Sequence, residues 1–413
     1  MVLNLSKLTK VAIAFFVVFS LFSCATDECK KLEERLKKDK EKMSYVSTIN
    51  LDAYVENSGS IDGYVNGMSL FKTDTYALIS NSVVDKASLY YINDSIFKAK
   101  ETARDFILNL TPASFKQNAG NRSYSDIAAV IEKATSKSNK TPCLLVSDFI
   151  FSPDPGHRKN VEKYFDLQKN DVMNTIERLL KKNSNVAVVV LQGESNFDGY
   201  YWNKDEKKMR INEKRPFYAM LVGPKQQIAL LMNKTNGTTH FKHGYSEFFP
   251  TSVDYEILSG KEDKVGNFRP CKNGRHHITK IQTERRSSDF EFKVAVDFSN
   301  VPLNELYIQD KNNYVLSDKS YAIKSIAKYS NPNKKYQFSH IITIASTKET
   351  PTASNLEVTL KKNFPEWIKS SQDSRGESPI PGKTFGIQPL LEGIQKAYSD
   401  STEYVKMVFI LEK

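Results

Sequence analysis

The sequence predicts an α/β fold, a doubly wound and mostly parallel sheet, joined to a second, antiparallel β-sandwich-like domain. Three observations carry this. Short apolar runs alternate with helical periodicity from about residue 46 to 235, the pattern of strands buried by helices on both faces. After Asn236-Gly237 the pattern changes to strict alternation of apolar and polar residues, as in half-buried antiparallel strands. A length of 413 residues suggests two domains or slightly more, at roughly 100–200 residues each.

The elements follow in order. Lys7 and Lys10 precede the apolar run Val11 to Phe22, which is too short to span a bilayer and reads as a signal peptide over 1–23. Residues 24–45 are a tether; Asp27 to Met43 is charged and helix-favouring, a solvated spacer. The α/β domain occupies 46–236. Ile49, Leu51, Ala53 and Val55 alternate as its first strand, Asp74 to Val84 reads as a helix, and Ser88 to Ile92 as a second strand. Tyr124 to Thr135 is helical with Ser123 or Ser125 as its cap. Pro142 to Val146 is a continuous apolar strand. A long helix carries Val172, Ile176, Leu179 and Leu180 on one stripe, and Val186 to Leu191 is the clearest buried strand. Phe217 to Val222 and Gln226 to Asn233 add a strand and a helix.

Residues 237–369 form the β-rich domain. Phe290 to Val296, Ile342 to Ile344 and Leu356 to Leu360 are its strands, with Asn300 and Asn331-Pro332-Asn333 as turns. Residues 370–384 are polar with Gly and Pro and read as a linker. The end, 385–413, returns to a helix (Ile387 to Tyr398) and a strand (Tyr404 to Leu411), which rejoin the α/β sheet or pair with the β domain.

The net charge of +11 is dispersed among 48 acidic residues, with no long basic block outside the tether, so nucleic acid is not an expected partner. Apart from Cys24, the cysteines are Cys29, Cys143 and Cys271, an odd and scattered set that makes no disulfide framework. Cys143 reads as a small core residue, and Cys271 with His276-His277 lacks a fourth ligand for a soft metal and reads as a surface turn.

Leu21-Phe22-Ser23-Cys24 resembles the bacterial lipobox, although Phe22 is bulkier than the usual residue. The resemblance implies that Cys24 becomes a lipidated N-terminus, a membrane partner through its acyl chains. Ala25-Thr26 rather than Asp follow, so the expected location is the outer membrane of a Gram-negative cell.

Glu56-Asn57-Ser58-Gly59-Ser60 closes the first strand, Ser123 lies in a loop opening a helix, and Ser147-Asp148 ends a later strand. In order and spacing these three loops resemble the metal-ion-dependent adhesion motif of von Willebrand factor A domains. The resemblance covers about 46–235 and implies a cation held by Glu56, Ser58, Ser60, Ser123 and Asp148, taking an acidic group from a protein partner. Hydroxyls and carboxylates suit a hard ion such as Mg²⁺ or Ca²⁺. Glu56 stands where the family has Asp, and its extra methylene puts direct ligation in question.

The segment 193–215, read as a loop, clusters Phe197, Tyr200, Tyr201 and Trp202 beside lysines, a candidate partner surface. Enzymatic readings are weaker: Asp148 with Asp154 would suit a metal-dependent phosphohydrolase but lacks a phosphate cradle, and Ser58 has no partnered histidine. The expected function is therefore binding rather than catalysis, with a structural envelope role as a further alternative.

Overall fold

A computed structural model describes residues 31–35, 37–38, 46–122, 126–235, 237–271, 274–287, 289–329, 338–347, 351 and 353–413. The signal peptide, Cys24, Ser123, Ser125 and the Asn331-Pro332-Asn333 turn lie outside the described residues.

The α/β half is built on seven strands: β1 (Ile49–Glu56), β2 (Val84–Ile92), β3 (Ile96–Lys98), β4 (Cys143–Ser147), β5 (Val186–Trp202), β6 (Lys208–Pro224) and β7 (His243–Glu247). Their order is β3-β2-β1-β4-β6-β5-β7. β1 runs parallel to β2 and β4, whereas every other neighbouring pair is antiparallel. The sheet is thus mixed, with its parallel part confined to β2-β1-β4.

Among the described residues, the helices before residue 237 that flank it are α1 (Leu70–Ile79), α2 (Ala103–Asn109), α3 (Pro112–Gln117), α4 (Ile127–Thr135), α5 (Val161–Lys182) and α6 (Lys225–Thr235). Alternate residues of β4 feed opposite cores, Cys143 and Leu145 into one and Leu144 and Val146 into the other. That two-sided burial explains the unbroken apolar run. α1 starts at Leu70 rather than Asp74, because Ser69 caps it by accepting the Lys72 N–H. α4 is capped by Asp126, whose side chain accepts the Ala129 N–H.

Two expectations fail in instructive ways. Residues 193–215 are not a loop: β5 and β6 pair continuously from Val186↔Pro224 to Trp202↔Lys208, forming a long hairpin. Its outer part projects as an arm, since β7 leaves β5 at Gln192 and β4 leaves β6 at Tyr218. Residues 370–384 are not a free linker either. Gln372–Asp373 pairs with Thr384–Phe385, and the Arg215 guanidinium donates to the Ile380 and Lys383 carbonyls at 2.9 and 3.1 Å. The α/β sheet also reaches past residue 237, because β7 belongs to it.

The second half is a sandwich of two sheets. One runs Asn267–Pro270, His277–Gln282, Glu403–Leu411, Ser354–Lys361, Tyr314–Leu316; the other runs Tyr321–Lys328, His340–Ser346, Glu291–Asp297, Asp254–Ile257. Phe292, Val294 and Ile342 of one sheet share a core with Val358, Met407 and Phe409 of the other. The C-terminal pair is divided. The helix Ile387–Ala397 buries Leu390, Leu391 and Ile394 in the α/β core beside Val172 and Ile176 of α5, while the strand Glu403–Leu411 pairs along Ser354–Lys361 in the sandwich.

His276 and His277 are buried rather than on a surface turn. His276 Nδ1 lies 2.8 Å from Glu33 and Nε2 2.5 Å from the Tyr255 carbonyl, and His277 Nε2 lies 3.2 Å from Glu412. The Glu33 contact also docks part of the expected spacer onto the sandwich. Cys143 is a buried free thiol, pushed up in pKa by desolvation.

Candidate functional site

Because β1 and β4 are parallel neighbours, Glu56 to Ser58 and Ser147-Asp148 emerge at one edge, the edge where open α/β sheets place ligands. A 3₁₀ helix, Gly59–Tyr64, follows the first loop. Glu56 and Asp148 are both 1% exposed, and Ser58 is 5% exposed. The Ser147 hydroxyl donates a short hydrogen bond to Glu56 and accepts the Phe149 N–H at 2.8 Å. Glu56 is therefore turned toward β4. The hydroxyls of Ser58 and Ser60 lie 3.1 Å apart.

Asp148 is the unusual member. Its Oδ1 accepts the Ile150 N–H at 3.1 Å, whereas its buried Oδ2 has no hydrogen-bond partner among the described residues. Burial, with the Glu56 charge adding to it, pushes its pKa up to about 7. The Ile150 N–H, the Ser60 hydroxyl and the Arg215 charge oppose that rise. Ser60 acts here without closing a hydrogen bond of ordinary geometry. The next residue, Phe149, is fully buried with φ of 49°, a left-handed conformation that costs a non-glycine residue roughly 1–2 kcal/mol. An orphaned carboxylate oxygen and a strained neighbour thus coincide at the end of β4.

Arg122 was missed by sequence reasoning. Its Nε donates to the Asn57 carbonyl at 2.7 Å and its Nη2 to the Ser58 carbonyl at 2.9 Å, and it pairs with Asp62 at 2.5 Å. The Gly59 N–H returns a bond to the Arg122 carbonyl at 3.3 Å. The second loop is thereby stitched to the first. No local pattern marks it, because its partners, the Asn57 and Ser58 carbonyls and Asp62, lie 60 to 65 residues away in the chain.

Above this floor opens a cavity of about 610 Å³, lined by Ser58, Ser60, Arg122, Tyr200, Trp202 and Lys208 among others. The hairpin arm forms one wall. Gly63 and Gly199 permit this approach, since a Cβ on Gly199 would lie 2.6 Å from the Gly63 Cα and one on Gly63 2.5 Å from the Phe197 ring. The Trp202 ring covers Gly59 in the same way. Tyr200 is 41% exposed with the Lys208 ammonium 3.7 Å from its ring centre. Tyr201, expected at the partner surface, is instead 3% exposed and covered by Arg215 at 5.2 Å. Strand alternation turns it inward.

Asp154 stands apart. It is partly exposed, engages His157 Nδ1 at 2.6 Å, and is held below the usual carboxylate range by that hydrogen bond. It does not line the cavity and is engaged by His157 instead, so the acid pair of the phosphohydrolase reading is not assembled there. Among the described residues, no three His, Cys, Asp or Glu side chains gather in metal-binding reach. A hydroxyl-rich site would not need three. The Asp148 Oδ2, unmet among the described residues, the Ser60 hydroxyl that acts on that carboxyl, and the Ser58 hydroxyl 3.1 Å from Ser60 fit a hard divalent cation by donor chemistry. No described helix is long and apolar enough to cross a membrane.

Comparison of the chain with protein-family models, curated proteins and solved structures finds no match.

Proposed function

We propose that this chain is a partner-binding module of von Willebrand A-like type, and that its cleft at the ends of β1 and β4 receives an acidic group of a protein partner. The observation that carries the reading is the buried Oδ2 of Asp148, without a partner among the described residues, on a carboxyl that the Ser60 hydroxyl acts on and with the Ser58 hydroxyl 3.1 Å from that of Ser60. A buried polar atom left unmet costs about 1–3 kcal/mol, and a group that would satisfy it is the simplest account of its placement. Ser58, Ser60 and Asp148 would hold Mg²⁺ or Ca²⁺, and Glu56, engaged by Ser147, would support the loop from the side. The cation would supply positive charge for an incoming carboxylate. Arg122 fixes the motif loop, and Tyr200 and Trp202 give the cleft an aromatic wall. The proposed setting is an exported lipoprotein anchored through Cys24 at the outer membrane.

Thermal unfolding with and without divalent ions tests the cation. Mg²⁺ or Ca²⁺ should raise the melting temperature of the wild type and leave Asp148→Asn unmoved. If wild type and variant melt alike in every divalent ion, the cation is not part of the site. For the anchor, Cys24→Ala should release the protein from the membrane fraction; a variant that stays there refutes lipidation.

A further inference from the structure

The β5–β6 arm leaves one backbone edge open. β6 pairs with β4 only from Tyr218 onward, and over Lys208 to Lys214 it pairs with β5 alone. Pro216 marks the division, because it has no N–H to give a ladder. The parity of the strand can be read from the same residue. Pro216 O accepts the Tyr64 hydroxyl, so the backbone of Pro216 faces away from β5. In an antiparallel pair, residues of like parity face the same way. The N–H and C=O groups of Lys208, Arg210, Asn212 and Lys214 therefore also point away from β5, and all four residues are exposed. The opposite edge of the arm is not open in this sense: Asp198 O takes the Asn66 amide at 3.4 Å, and Gly199 packs on Gly63.

The charges along the arm are unbalanced in a specific way. Each of its carboxylates has a cationic partner: Glu194 with Lys242, Asp198 with Arg210, Asp205 with Lys204, Glu206 with Arg158 and Glu213 with Arg215. Lys207, Lys208 and Lys214 have no carboxylate partner among the described residues. Lysines on an edge oppose pairing with a second copy of the same edge. They do not oppose an acidic strand, whose charges they would match.

We infer that the open edge of β6 binds an extended, acidic segment of a partner protein by strand addition, continuing the sheet from Lys208 to Lys214. The main chain would supply affinity, and the unpaired lysines the choice of partner. Lys208 and Arg210 also line the cleft, so such a segment would run past its mouth. This inference rests on the partner-binding reading and names the partner's form.

Fluorescein-labelled alternating Glu-Val and Lys-Val peptides are the probes, titrated with the full-length protein and followed by anisotropy. The acidic peptide should bind at least about tenfold more tightly than the basic one, with affinity falling as salt rises. Asn212→Pro removes one outward N–H without cutting the β5 ladder and should weaken the acidic peptide by about tenfold. Lys208→Glu with Lys214→Glu should invert the preference. Equal binding of both peptides, full affinity in Asn212→Pro, or self-association of the wild type that Asn212→Pro abolishes would each overturn the inference. A peptide that binds when no divalent ion shifts the melting temperature leaves the edge standing and removes only the cation; a thermal shift without peptide binding does the reverse.

Discussion

Two carboxylates buried in this protein are treated in opposite ways. Glu247, on β7 where the two halves meet, has Lys362 at 2.8 Å on one oxygen and the Tyr245 hydroxyl at 2.8 Å on the other. Burial still raises its pKa, but both oxygens are satisfied and the Lys362 ammonium opposes the rise. Asp148, equally hidden, keeps one oxygen without a partner and faces another acid. The first arrangement completes itself. The second is incomplete within the described chain, and that difference separates a structural charge from a candidate site more sharply than burial does.

The comparison can be broken by mutation. Lys362→Met should cost the most, about 3–5 kcal/mol in denaturant unfolding, because it strands Glu247 as an uncompensated buried charge. A loss below about 1 kcal/mol would show that the pair contributes little beyond its own desolvation. Ser147→Ala should cost about 1–3 kcal/mol, since it removes a donor from Glu56 and an acceptor from the Phe149 N–H together.

Asp148→Asn should behave differently, changing the pH dependence more than the stability. The folded pKa of Asp148 lies above its unfolded value, so the native state holds the proton more tightly. Stability therefore falls as pH rises from about 4 to about 7, by roughly 1–3 kcal/mol with Glu56 sharing the titration. Unfolding across that window should show a flatter profile in the variant, and parallel profiles would mean that Asp148 is solvated. Ser60→Ala should have the smallest effect, within about 0.5 kcal/mol in the absence of ions, yet should diminish any divalent-ion shift.

Much of the frame was legible because burial on both faces leaves a strong trace. β4 and the inner half of β5 are unbroken apolar runs, and α5 carries its stripe. The arm was misread because its polar residues were weighed ahead of its period. Phe197, Gly199 and Tyr201 alternate inward against Asn196 and Tyr200 outward, which is a strand pattern even in polar company. The segment 370–384 failed for a similar reason. Its glycines and prolines suggested freedom, while a single arginine 165 to 168 residues earlier in the chain holds its carbonyls. At the site, Ser58, Ser60 and Asp148 converge by register, but Arg122 depends on a tertiary partner that no local pattern announces. The division of the C-terminal helix and strand between the two halves is a long-range choice of the same kind.

That division has a consequence for how the molecule assembles. Residues 403–411 are the middle strand of their sheet, flanked by His277–Gln282 and Ser354–Lys361. Until they arrive, the strands on either side have no common neighbour, and the Tyr404 hydroxyl cannot reach the Ser246 carbonyl across the junction at 2.6 Å. Closing that sheet joins segments more than a hundred residues apart, a slow step on entropic grounds. The sandwich should therefore set late, after the α/β half has formed most of its local pairings, and the same strand that completes it should fasten the two halves together.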